Sequence, residues 1–204
     1  MQKLFLFDFD GVIVDSLDVY EGTVTRGLKQ IGQPIVKSRA DLLELYEDNF
    51  YESLVKKGVD LDAFMAASVG ILAQINYDEI TPFYDVLPVL AKLKEKNILA
   101  VISSSDSHDI NSIMIRYHFD GCFREIFGSD ANLNKKEKIL NAMTRFGMDA
   151  DKTYYVGDTT GDIKEAKMAG VKTVAVTWGW HTKEQLAAMK PDYLLDKPED
   201  LLKI

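Results

Sequence analysis

The sequence predicts an α/β fold, a doubly wound and mostly parallel sheet, with an all-helical domain inserted near its N-terminal end. Three observations carry this. Residues 3–8, KLFLFD, have the continuous apolar character of a strand buried on both faces. After Pro82, amphipathic helical stretches alternate with short apolar runs, the rhythm of parallel strands covered by helices on both sides. Between them lies a segment of roughly 65 residues without a strand pattern, longer than a loop inside a compact domain and so a small domain of its own.

Taken in order, the first strand ends in DFDGV and gives way at Ser16 to the insert. Its helices are read from LDVYEGTVTRGLKQIG, ADLLELYEDNFYESLVKKG and LDAFMAASVGILAQIN, separated by breaks that contain Gly or Pro. Then DVLPVLAKLKEKN leads into the strand ILAVIS, SHDINSIMIRYHF into CFREIFG, KKEKILNAMTRFG into TYYVGD, GDIKEAKMAG into KTVAVTW, and KEQLAAMK into DYLLD. The expected boundaries are 1–15 with 83–204 for the α/β part and 16–82 for the insert. No internal repeat and no low-complexity segment interrupts the pattern.

Composition narrows the function classes. A chain of 204 residues with 47% apolar content can bury a core for one domain carrying a smaller one. The net charge of −8, with basic residues scattered among acids, argues against a nucleic-acid partner. A small phosphorylated substrate remains compatible, because a local metal and one lysine reverse the sign of a site inside an acidic protein. Cys122 is the single cysteine, which excludes an internal disulfide and a multi-cysteine zinc site, and it reads as a packed thiol. No basic leader and no run of about 18 apolar residues occurs, so neither secretion nor membrane insertion is expected and the cytoplasm is the expected location.

The chemistry gathers where strands end, since sites in open α/β sheets lie beyond the carboxyl ends of the strands. Asp8 and Asp10 follow LFLF, Ser103 follows LAVI, Lys136 opens KEKIL, and Asp158 with Asp162 follows YYVG. Strand alternation would turn Asp8 and Asp10 toward one spot, where two anions are tolerated if a divalent cation joins them or if one keeps its proton. Each signal has a plainer alternative. An Asx turn closed by Gly11 accounts for the aspartates, helix capping for Ser103, and a solvated face for Lys136 in NKKEK. The convergence of all of them on one sheet edge favours a site.

Together DFDGV, the serine after an apolar strand, the lysine opening a helix and GDTTGD resemble the haloacid dehalogenase superfamily of phosphotransferases, over essentially the whole chain. The likeness is greatest to its phosphoglycolate-phosphatase and β-phosphoglucomutase-like branch, whose helical cap is inserted after the first strand of a Rossmann-like core. The resemblance implies a phosphatase for a small phosphomonoester, with Asp8 as nucleophile forming an aspartyl-phosphate and Asp10 as general acid and base. It implies Mg2+ held by Asp8, Asp158 and the backbone carbonyl of Asp10, with Asp162 supporting that shell or the lysine. Ser103, Ser104 and Lys136 would hold the phosphoryl oxygens. The implied partner is a small phosphorylated metabolite, with no nucleic acid or membrane, for a monomer or weak homodimer.

Departures from the family pattern leave alternatives. The sequence reads Ser103-Ser104-Ser105-Asp106 where relatives often carry a lysine two or three residues after the serine, and an anionic Asp106 at the mouth would disfavour a second carboxylate on the substrate. In the insert, Arg26, Lys37, Arg39, Lys56 and Lys57 read either as substrate contacts or as solvated helix faces. His108 and His181 carry no clear role, and Trp178 and Trp180 read as packing or loop residues near the site. A phosphosugar mutase shares every core residue, and a non-catalytic binding module would keep the fold without needing this set of charges.

Overall fold

The computed structural model describes residues 2–204. In chain order the elements are β1 (Leu4–Phe7), β2 (Val14–Asp15), α1 (Leu17–Gln30), α2 (Arg39–Leu45), α3 (Phe50–Lys56), α4 (Leu61–Leu72), β3 (Thr81–Pro82), α5 (Val86–Leu93), β4 (Ile98–Ile102), α6 (Ser107–Arg116), β5 (Ile126–Phe127), α7 (Lys135–Phe146), β6 (Thr153–Gly157), α8 (Thr160–Ala169), β7 (Lys172–Val176), α9 (Lys183–Ala188) and β8 (Tyr193–Leu195), with short 3-10 turns between some of them. The chain packs as two compact units. One runs to Asp15 and resumes at Pro82, and the other is Ser16–Thr81. A two-stranded sheet pairs β2 with β3.

The first unit is built on a six-stranded sheet in the order β5-β4-β1-β6-β7-β8. Its ladders are parallel, with Phe7 in register with Val101 on one side and Val156 on the other. Strand β1 is the centre, and all four of its residues are buried, which is why the run LFLF carries no polar residue. The connections run outward from β1 in both directions, so the sheet's switch point flanks its C-terminal end, where an α/β sheet opens a crevice.

Alternation along β1 sorts the two faces. Leu4 and Leu6 join Ala100, Ile102, Tyr155, Ile139 and Ala142 of α7, and Ala166 and Ala169 of α8 in one apolar cluster. Phe5 stacks on Tyr154 with ring centroids 5.0 Å apart, and Phe7 meets Phe123 edge-on at 5.8 Å. Asp8 is the next residue on the Leu4–Leu6 side, so its carboxylate is directed toward the face on which α7 and α8 pack. Cys122 is buried, as its reading as a packed thiol requires.

In the second unit α1 to α4 enclose Val24, Leu28, Val36, Leu42, Leu45, Leu54, Val59 and Phe64. Gly27 allows α1 close to α4, since a Cβ there would stand 3.0 Å from the Phe64 ring. The single helix expected over 40–58 is two helices. Asn49 interrupts it because its side chain accepts from the N–H groups of Tyr51 and Glu52 and starts α3 afresh. Arg39 is paired with Asp18 and Glu21, Lys56 with Asp48 and Lys57 with Glu44, exposed ion pairs within this unit.

Candidate active site

Beyond Phe7 the chain stops being a strand. Asp8 still gives its N–H to the Val156 carbonyl at 2.8 Å, but Ile13 and Val14 turn back to the carbonyl of Phe9, and Gly11 sits at φ +77°. A Cβ on Gly11 would overlap the Asp158 carboxylate at 2.0 Å, so glycine is required both by the turn and by the close approach. The expectation that alternation turns Asp8 and Asp10 to one spot is therefore corrected. The turn separates their partners: Asp8 faces α7 and α8, and Asp10 faces the loop after β4.

Asp8 is buried, with Oδ1 accepting from the Phe9 N–H at 2.7 Å and Oδ2 from Lys135 Nζ at 2.5 Å. The same Nζ lies 2.5 Å from Asp162 Oδ1. The lysine in the site is thus Lys135, whereas the sequence reading chose Lys136. Asn134 closes a capping box with Glu137, which makes Lys135 the first residue of α7. The buried face of that helix runs through Lys138, Ile139 and Ala142, and Lys135 stands three and four residues before the first two, on the same face. Lys136 is rotated about 100° away.

Asp162 comes from the first turn of α8. Thr159 caps the helix in a second capping box, and Asp162 Oδ2 accepts from both the N–H and the hydroxyl of Thr159, at 3.1 and 2.7 Å. Its Oδ1 also accepts from Tyr155 Oη at 3.2 Å. A Cβ on Gly157 would stand 2.5 Å from the Asp162 Cβ. Asp158 is fully buried. Its Oδ2 accepts from the Trp180 N–H at 2.7 Å, its carbonyl accepts from the His181 N–H, and its Oδ1 has no hydrogen-bond partner among the described residues. The loop Trp178-Gly179-Trp180-His181 wraps this aspartate, with Trp178 Nε1 donating to the Val12 carbonyl at 3.2 Å and His181 Nδ1 accepting from the Thr160 N–H at 3.1 Å. Both tryptophans are loop residues beside the site, as read from the sequence.

The electrostatics follow from burial. It pushes the Asp8 carboxyl up to about 8, helped by Asp162 and Asp10 and opposed by Lys135. Asp158 is pushed well above the carboxylate range by burial, then by Asp162 and Asp8. Burial acts on Asp162 in the same direction, but the Lys135 charge and the bonds from Lys135 and Thr159 outweigh it and hold this group low. Burial pulls Lys135 down, but Asp162 and Asp8 outweigh it and raise it well above the ordinary lysine range. Carboxylate oxygens of Asp8, Asp158 and Asp162 lie within 4.8 Å of one another. Once all three carboxylates are ionised, they outnumber the Lys135 ammonium they surround. An all-oxygen donor set, that excess charge and the orphaned Asp158 Oδ1 fit a hard divalent cation. Both oxygens of Asp8 and of Asp162 accept hydrogen bonds from the protein, so Asp158 Oδ1 is the readiest donor of the three carboxylates.

Ser103 is buried at the end of β4, and its Oγ donates to Asp10 Oδ2 at 3.4 Å and accepts from the Ser105 N–H at 3.0 Å. Ser105 Oγ donates to the same Oδ2 at 2.8 Å. Ser104 is exposed between them. Lys138, buried, donates to the Ser103 carbonyl at 2.7 Å, and burial, with Lys135 nearby, lowers its pKa to about 8. Asp106 caps α6, its carboxylate accepting from the His108 N–H at 2.9 Å, while the His108 side chain is exposed. The sequence reading names Ser105, Thr159 and His181 without giving them these contacts, and it does not single out Lys138 or Tyr155. Of these, Lys138 and Thr159 were accessible from capping boxes and helix periodicity, whereas Tyr155 looked like an ordinary apolar strand residue.

Residues 5–176 match the model of the haloacid dehalogenase-like hydrolase family. A phosphoglycolate phosphatase of Synechococcus elongatus is 27% identical over 205 residues, covering 98% of this chain and 95% of that protein. A Dickeya dadantii protein named "Probable phosphatase IndB" is 30% identical, covering 96% of this chain and 90% of its own length. The solved structure of a haloacid dehalogenase-like family hydrolase from Streptococcus pneumoniae superposes with a TM-score of 0.84 at 20% identity, covering 99% of this chain and 97% of that one. With the family model spanning most of its length, the chain belongs to the haloacid dehalogenase-like hydrolase family and is an enzyme of the hydrolase class.

Proposed function

We propose that this protein is a Mg2+-dependent phosphoric monoester hydrolase that cleaves a small phosphorylated metabolite through an aspartyl-phosphate on Asp8. The observation that supports this best is the Asp8 carboxylate, buried at the end of the central strand and paired with Lys135, with Asp10 two residues on and bonded to serines of a neighbouring strand end. An Asp8 oxygen attacks phosphorus as the bond to the leaving oxygen breaks, and Asp10 gives that oxygen its proton. Water then attacks the phosphorus, Asp10 takes the water's proton, and phosphate leaves with the Asp8 carboxylate restored. Lys135 offsets charge between an anionic nucleophile and an anionic substrate, and Ser103 with Ser104 holds phosphoryl oxygens. Asp8, Asp158 and the Asp10 carbonyl would hold Mg2+, which when bound draws negative charge from the transferring phosphoryl group.

Asp162 acts on this site through Lys135, which it fixes and keeps protonated. The helical insert serves as the substrate-selecting cap, and the cytoplasm is the place of action, in keeping with a buried free thiol and with the lack, among the described residues, of a helix long and apolar enough to cross a membrane. The test is phosphate release from a panel of phosphorylated metabolites with and without Mg2+. Phosphoglycolate, the substrate in the name of the Synechococcus relative, belongs in that panel beside neutral phosphomonoesters. Metal-dependent release by the wild type and none by Asp8→Asn is the expected result, and full activity in excess chelator contradicts the reading.

A further inference from the structure

Both hydroxyls that reach Asp10 from the loop after β4 converge on one oxygen, Oδ2, but unequally: Ser105 Oγ is 2.8 Å away and Ser103 Oγ 3.4 Å. The shorter bond is the better formed. Ser105 is itself held at both ends of its backbone. Its N–H donates to Ser103 Oγ at 3.0 Å, and its carbonyl accepts from the Ser129 N–H at 2.9 Å. Ser103 lies at the edge of its range to Asp10, and the phosphoryl group claims its hydroxyl in the proposed reaction. We infer that Ser105 is the positioning residue for Asp10: its hydroxyl holds Oδ2 and maintains the acid in place when Ser103 turns to the substrate. This inference rests on Asp10 being the general acid. The division of labour has a physical basis, because a carboxyl group delivers its proton efficiently only when held within hydrogen-bond reach of the leaving oxygen, and the bridge of Asp10 to Val14 fixes its backbone rather than its carboxyl group.

The consequence depends on the leaving group. An alkoxide needs its proton as the bond to phosphorus breaks, whereas a nitrophenolate leaves without one. The experiment therefore compares kcat/KM for an alkyl phosphate and for p-nitrophenyl phosphate, with Mg2+ present, in the wild type, Asp10→Asn, Ser105→Ala and Ser105→Thr. Ser105→Ala is expected to lose about tenfold on the alkyl ester, the scale of one well-formed hydrogen bond, and to stay within about twofold on the nitrophenyl ester. Ser105→Thr, which keeps the hydroxyl, restores the alkyl activity. Asp10→Asn shows the same bias more strongly. Equal losses on both esters in Ser105→Ala, or no loss on either, overturn the inference while the bias of Asp10→Asn leaves the acid assignment standing. If Asp10→Asn shows no bias, the assignment of Asp10 falls and the inference with it. Thermal unfolding midpoints of the serine variants separate a folding defect from either result.

Discussion

The strand ends of the α/β unit and the surface of the helical insert hold the same kinds of charged residue and treat them in opposite ways. On the insert, Arg39 reaches Asp18 and Glu21, Lys56 reaches Asp48 and Lys57 reaches Glu44, so each cation meets acids in surface contacts that each contribute little. At the strand ends, Asp8, Asp158 and Asp162 are buried around the ammonium of Lys135, and one oxygen of Asp158 has no partner among the described residues. Burying charge that is not fully compensated costs several kcal/mol, and packing alone gives no return on it. The difference teaches where to look for function in an acidic protein. The number of acids says little, and the place where they are buried out of balance says most.

The largest effect that sharpens this contrast is Asp8→Asn, expected to reduce phosphate release by about 10⁴-fold or more, since it removes the proposed nucleophile. The parallel Arg39→Ala variant is expected to keep full turnover of p-nitrophenyl phosphate, and a comparable loss there would break the comparison. Next comes Gly179→Ala. A Cβ at that position would stand 2.3 Å from Asp158 Cβ and Oδ2 and 2.4 Å from the Gly11 carbonyl, so the loop must move, at a cost of about 2–3 kcal/mol in chemical denaturation. A change near zero would mean that the loop does not clasp Asp158 closely.

The pH dependence of the metal-free protein tests the imbalance itself. The folded-state pKa of Asp8, about 8, lies above its ordinary value of 3.8, so between these limits the folded state binds more protons than the unfolded state. Asp8 therefore lowers stability as pH rises from about 4 to about 8, and Asp158 is shifted in the same direction, while Asp162 is shifted oppositely. In chelator the thermal midpoint is expected to fall over this range, and Mg2+ is expected to raise it most at the upper end. Asp8→Asn flattens the fall, and an unchanged slope in that variant contradicts the assignment. The smallest effect is Arg39→Ala on stability, expected to move the midpoint by about 2 °C or less.

The parallel sheet was legible because its central strands are apolar along their whole length and end abruptly in acids, as LFLF before Asp8 and YYVG before Asp158 demonstrate. The break at Asn49 and the choice between Lys135 and Lys136 turned on which residue caps a helix, a one-residue question that apolar periodicity answers only after the cap is placed. The separate partners of Asp8 and Asp10 were hidden for another reason. A strand reading assumes that alternation continues, and Gly11 at φ +77° ends it. Asp106 illustrates the limit of a charge reading, because its carboxylate is engaged as the cap of α6.

The most direct test of the central claim, that the unbalanced carboxylate at the end of β1 is the nucleophile, is to trap the phosphoenzyme. Asp10→Asn, expected to hydrolyse the proposed intermediate slowly, is mixed with substrate and Mg2+, quenched in acid, and mapped by peptide mass spectrometry. A phosphoryl group on Asp8, absent from the Asp8→Asn,Asp10→Asn double variant, is the predicted result. A phosphoryl group found on another residue, or turnover of Asp8→Asn at the wild-type rate, would contradict it.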